Sequence, residues 1–336
     1  MGHVSTPESV AASPHEGTRA VLAAMAANVS IAVMKLLAWL LTGAASLLAE
    51  AIHSLADSVN QVLLLAGTKA SKRKPTALHP FGFGHERFLS AFLVAIILFT
   101  MGGLFALVES YRKFSSVRAG HPDDLVESRW WWVAILVILG AMAAEGLSLR
   151  TGVHESNQVR LPGQSWVAFI RETRSPELPV ILMEDTAALT GLVFALVGVG
   201  MTKATGSGYW DVAGSAAIGL LLIAVAVILA VKTQSLLVGA SAAPEEVARI
   251  EAAIAGTPGV ERVIHLRTIH LGPEDVMVAA KVAVPRARSA DDIARTIDDA
   301  EGRIRAGSPM VGLIYLEPDI DRGPTPPLPV DEEQPE

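Results

Sequence analysis

Apolar positions fall in long unbroken runs over the first two thirds of the chain, and in short alternating or helical-period runs over the last third. Six long runs approach or exceed the ~20 residues that a helix needs to cross a hydrocarbon core about 30 Å thick. They are residues 21–45, 46–68, 88–108, 130–149, 180–202 and 212–231. Thr42 and Gly43 mark the break between the first two runs, which predicts a tight helical hairpin. Trp130, Trp131 and Trp132 open the fourth, where aromatic rings suit a membrane–water interface.

The pattern changes after Ser235. Residues 244–255 read as a helix with Glu245 and Glu246 in its first turn. Residues 261–271 and 276–284 read as strands joined by a turn at Gly272-Pro273. Residues 289–305 read as a second helix, with Ser289 as N-cap and Asp292 close to a capping box, and 311–317 as a third strand. The expected fold is an α-helical membrane protein: six transmembrane helices over residues 18–236, then a small α+β ferredoxin-like domain of order αββαβ over 237–320. Residues 1–17 lack the basic flank and cleavage site of a signal peptide and read as a disordered tail. Residues 321–336, rich in proline and acid, read as a second one.

Lysine and arginine give the orientation. The second-to-third connection holds Lys69, Lys72, Arg73, Lys74 and Arg87, and the fourth-to-fifth holds Arg150, Arg160, Arg171 and Arg174. The opposite connections hold fewer, although the third-to-fourth carries Arg112, Lys113, Arg118 and Arg129. The bias puts both termini in the cytoplasm, and the expected location is the plasma (inner) membrane. Trp166, Phe169, Ile170 and Thr173 recur at helical spacing beside Arg171, as either a short amphipathic helix on the membrane surface or an ordinary loop.

Composition narrows the chemistry. The net charge of −7 comes largely from the C-terminal part and gives nucleic-acid binding no support. The chain has no cysteine, so disulfides, thiolate metal sites and cysteine nucleophiles are excluded. Any metal must be held by His, Asp, Glu, Asn or backbone oxygen.

The second run carries the main signal. Glu50, His53, Asp57 and Asn60 fall at spacings of three and four, one stripe of a helix, with Ser46 and Gln61 near the same line. An ionised group mid-membrane costs roughly 2.5–3.5 kcal/mol on insertion scales, so the stripe must face the bundle interior. His53 and Asp57 project into one space and can share a cation. The alternative is an internal hydrogen-bond network that only joins helices. The fifth run adds Glu184 and Asp185, adjacent acids about 100° apart on a helix. Asp185 is expected to meet the stripe. Glu184 is read as a ligand, a proton carrier, or a partner of Asn28 or Lys35. His79 and His85 flank a glycine-rich loop, as a cytoplasmic metal contact or a surface turn. His265 and His270 lie on opposite faces of a strand and read as structural or interface groups.

From about Thr18 to Asp319 the chain resembles the cation diffusion facilitator family of metal–proton antiporters. The resemblance is carried by residues 46–61, by residues 79–86, by Met183-Glu184-Asp185-Thr186-Ala187-Ala188, and by the αββαβ pattern with His265. It implies a transport site of His53, Asp57 and Asp185, a dimer meeting through cytoplasmic domains, and proton-driven export. Many members have a histidine four residues before the fifth-span aspartate; here that position is Ile181. Glu184, Asn28 or water would complete the shell, with Glu50, Asn60 and His79 as accessory groups. Tyr315 stands where a further histidine of the cytoplasmic domain is expected, with only His265 and Glu317 near their places.

Imidazole with carboxylates suits Zn²⁺, and Mn²⁺, Co²⁺ or Fe²⁺ can use the same atoms. Protons compete for those atoms, since metal ligands must be deprotonated. The expected partners are therefore a divalent ion, protons as counter-ion, lipid and a second copy of the chain. The rival readings are an organic-cation carrier, a membrane metalloenzyme and a non-transporting scaffold or sensor. The sequence lacks HExxH, and few interior aromatics are available for an organic cation.

Overall fold

A computed structural model describes residues 14–121, 123–161, 163–173 and 176–323, with side chains from Asn28 onward except that of Glu172. The predicted tails fall mostly outside these residues, but residues 14–17, read as tail, open the first helix. The chain divides into two compact units. One holds the helices up to Thr68 and from Leu89 to Thr233; the other joins Lys69–Phe88 to the chain from Gln234 on.

The first unit takes in α1 (Pro14–Thr42), most of α2 (Ala45–Ser71) and of α3 (Glu86–Ile97), a π-helical segment (Leu98–Leu104), α4 (Phe105–Arg118) and α5 (Asp124–Glu127). It continues through α6 (Trp131–Val159), α7 (Trp166–Glu172), α8 (Glu177–Thr205) and α9 (Tyr209–Gly239). The predicted hairpin turns at Gly43, whose φ of 66° is open to glycine at little cost. Of the two readings of the fourth-to-fifth connection, α7 is the helical one, capped by the Ser165 hydroxyl accepting from Ala168 N.

Among the described residues, four stretches are long and apolar enough to cross a membrane: Glu86–Arg118, Trp131–Val159, Glu177–Thr205 and Tyr209–Ala255. The first two predicted runs differ for separate reasons. The described side chains of α1 form a shorter apolar stretch, Asn28–Thr42. Helix α2 has 27 residues, but its polar stripe lowers its mean hydropathy.

Lipid tails give helices no hydrophobic reason to associate, so close packing of small residues does that work. A Cβ on Gly103 would lie 2.5 Å from Ile223, and one on Gly219 would lie 2.9 Å from Leu107, which brings the π segment and α4 onto α9. Gly198 and Gly214 bring α8 and α9 together in the same way. Helix α6 packs along both α8 and α1.

The second unit contains α10 (Pro244–Ala255), β1 (Arg262–Gly272), β2 (Asp275–Ala283), α11 (Ala290–Gly307) and β3 (Val311–Asp319). The sheet order is β1-β2-β3, with β1–β2 antiparallel and β2–β3 parallel. Helix α11 is thus the crossover that a parallel neighbour requires. Alternate residues of β2 are buried, and Val276, Val278, Ala280 and Val282 meet Ile250, Ile254 and Ile304 of the helices. Segment Lys69–Phe88 belongs to this unit. A Cβ on Gly84 would meet the Leu271 carbonyl at 2.1 Å, and Arg87 reaches Glu274 at 3.7 Å. The glycine-rich loop therefore docks on the β1–β2 turn, and residue 84 has no room for a side chain.

Candidate metal site on helix α2

The two faces of α2 differ in chemistry. Leu55, Val59 and Val62 are exposed on the outer face, whereas Glu50, His53 and Asn60 are almost completely buried. Apolar outside and polar inside suits a helix of a membrane domain whose polar groups serve the interior.

His53 Nδ1 and Asp57 Oδ1 lie 3.5 Å apart. They do not hydrogen bond to each other, and both ring nitrogens of His53 and Oδ1 of Asp57 are buried without a hydrogen-bond partner among the described residues. Leaving such atoms unpaired costs about 1–3 kcal/mol each. Two ligands at about 2.1 Å on a tetrahedral ion sit about 3.4 Å apart, close to this spacing. The pair has the bite of a chelate.

Helix α8 contributes differently from expectation. The hydrogen bond tying it to the stripe runs from Asn60 Nδ2 to Glu184 Oε1, at 2.7 Å. Asp185 instead accepts from Ser148 of α6 at 2.8 Å. Asp185 still acts electrostatically on both His53 and Asp57, as does Glu184 on Asp57. Among the described residues, no three of His, Asp and Glu are grouped closely enough to hold an ion together. The structure thus brings two of the four expected ligands to coordination spacing. The other two lie within their electrostatic reach, each held by a neutral partner.

The accessory groups separate. Glu50 is paired with Lys35 at 2.9 Å, so Lys35 is not the partner of Glu184. Asn28 is half-buried two turns before Lys35 on α1. His79 is exposed in a turn of the second unit, where its backbone exchanges hydrogen bonds with Thr76 and its ring lies 4.7 Å from Phe83. His85 packs edge-on against Phe88, and burial pulls its imidazole below the usual range. His265 is exposed and His270 buried, with His270 Nδ1 3.1 Å from the Gly272 carbonyl. Ser46 serves another purpose: it donates to Asp211 at the start of α2.

Sequence reasoning missed Glu145, one turn before Ser148 on α6, whose charge acts on His53, Asp57, Asp185 and Glu184. The signal was available, because an acid inside an apolar run is a functional residue by default. Ile181, at the missing histidine, packs near Gly152 of α6, where a Cβ would lie 3.6 Å from its Cγ2. That position makes a helix contact rather than a ligand.

The family profile for the cation efflux transmembrane domain matches residues 21–238, and that for the cation efflux protein cytoplasmic domain matches residues 242–318. A relative in Xenopus laevis named proton-coupled zinc antiporter SLC30A9, mitochondrial, is 34% identical over 265 residues, 79% of this chain and 46% of that one. Its Homo sapiens counterpart is also 34% identical over 265 residues, 79% of this chain and 45% of its own. Metal tolerance protein C4 of Arabidopsis thaliana is 26% identical over the same length, covering 79% of this chain and 56% of its own. The chain spans about half the length of these curated relatives. Profile matches running through both the helical unit and the sheet domain make this chain a member of the cation diffusion facilitator family.

Proposed function

We propose that the chain exports a divalent cation, Zn²⁺ in the first place, in exchange for protons. The observation that carries this reading is the His53–Asp57 pair at chelate spacing inside a membrane span, its facing atoms without a hydrogen-bond partner among the described residues. The ion enters at that pair and draws in a carboxylate of α8, Glu184 leaving Asn60 or Asp185 leaving Ser148. A bond to a neutral amide or hydroxyl is thereby exchanged for one to a dication. Protons and metal use the same atoms, so filling with one releases the other. Alternating access then follows from which side of the bundle those carboxylates open to. The zinc assignment draws on imidazole as ligand and on the names of the vertebrate relatives. Mn²⁺, Co²⁺ and Fe²⁺ are the competitors to run beside it.

The architecture that goes with this reading has six spans, α1 and α2 being the two beyond the four apolar stretches. A ferredoxin-like cytoplasmic domain begins near residue 237 and ends near 320, and a homodimer forms through it, in keeping with the cytoplasmic-domain profile. The lysine and arginine bias supports cytoplasmic termini, and the plasma membrane is the compartment this reading takes first. The vertebrate relatives carry "mitochondrial" in their names, and fractionation against markers of both membranes decides the compartment.

The test is reconstitution. In proteoliposomes, zinc uptake should rise when an opposing pH gradient is imposed and collapse when the gradient is dissipated. Uptake indifferent to the gradient rules out antiport. No uptake of any of the four ions, from protein that still binds zinc, favours a sensor.

A further inference from the structure

The acidic stripe of α2 has a second cation already in it. Lys35 of α1 is fully buried, and its ammonium donates to Glu50 Oε2 at 2.9 Å and to Ser54 Oγ at 2.7 Å. Glu50 is equally buried. Its Oε1 has no hydrogen-bond partner among the described residues and presses on α8 at Gly191, where a Cβ would lie 2.5 Å away. Residues 50 and 54 are related by one helical turn, as are 53 and 57, so α2 presents two adjoining sockets of one spacing. One is filled by an ammonium. The other ends in Nδ1 of His53 and Oδ1 of Asp57.

A lysine in such a place is expensive. Each buried ion carries a desolvation penalty of several kcal/mol, and a pair is often no more stabilising than apolar side chains of the same volume. The pair therefore calls for a reason other than stability. We propose that Lys35 is a tethered cation that reserves Glu50 and restricts the helical unit to one transported ion, at the His53–Asp57 socket; this rests on the transport-site reading above. Glu50 and Lys35 both act electrostatically on His53 and Asp57, with opposite charge, so the pair taken together leaves the net charge beside that socket unchanged. Without Lys35, Glu50, about one turn before His53, and the hydroxyl of Ser54, the next residue along, offer oxygen ligands.

The test uses the purified full chain in detergent, titrated calorimetrically with Zn²⁺ and Co²⁺ and checked by metal analysis after dialysis. Lys35→Met should bind one more ion per chain than the wild type. The double variant Lys35→Met/Glu50→Met removes both charges at conserved volume, which protects the fold. It should return to the wild-type number of ions with a Kd within about threefold of it. An unchanged ion count in folded Lys35→Met overturns the proposal. So does a more than tenfold loss of affinity in the double variant, which stands as a test even where the single variant fails to fold. If the wild type binds no ion, or Asp57→Ala binds as the wild type does, the transport-site reading itself fails, and that outcome is separate from the other two.

Discussion

His53 and Asp57 face each other at chelate spacing without a hydrogen bond between them, and they ought to be the residues most sensitive to truncation. His53→Ala and Asp57→Ala are each expected to weaken zinc binding at the helical site by about 100-fold, since a lost ligand should cost at least as much as a lost supporting group. Titration calorimetry of folded variants checks this, and a loss under threefold in both would show that the ion sits elsewhere. At this scale the sequence was informative wherever a charge interrupted an apolar run. His53, Asp57, Glu184 and Asp185 stand out for that reason, and Glu145 should have. Which acid turns to which neighbour was not legible. Glu184 and Asp185 are adjacent in the chain, yet they bond to different helices, and only the packing of α6 against α8 decides between Asn60 and Ser148.

At the scale of elements, the anchor of α2 comes from far along the chain. Its first turn lacks an acid or a side-chain cap of its own, and the free N–H groups of Ala45 and Ser46 donate to the carboxylate of Asp211 on α9, at 2.6 and 3.2 Å. Lys113 of α4 closes the arrangement at 2.8 Å from Asp211 and 2.9 Å from the Gly43 carbonyl. Asp211 thus caps the helix, complements its dipole and sits in a buried ion pair at once. Asp211→Asn keeps the shape and loses the charge, so it should destabilise the helical unit by about 3–5 kcal/mol. Thermal unfolding in detergent reads this out, and an unchanged midpoint would mean that the carboxylate is only a bystander. No sequence pattern announces such a cap, because an acid at the edge of an apolar run is cheap in any setting. The helices themselves, and the order of elements in the sheet domain, were legible from periodicity, since both follow from which face must be buried.

For the whole molecule, the proposed homodimer predicts twice the mass of one chain, protein component only, by light scattering in detergent. A mass of one chain at every concentration would remove it. The relation between the two ends of the stretch Glu86–Arg118 depends on a local irregularity. Between α3 and α4 the chain runs as a π-helix from Leu98 to Leu104, wider than an α-helix by part of a residue per turn. Every side chain beyond it is therefore rotated from where an uninterrupted α-helix would aim it. Ser110 donates to the Val212 carbonyl at 2.9 Å, and Lys113 meets Asp211, only in that rotated setting. The segment works like a keyway cut at an angle: shortening it by one residue would turn the far half of the span by about 100° and send its polar teeth past the notches on α9.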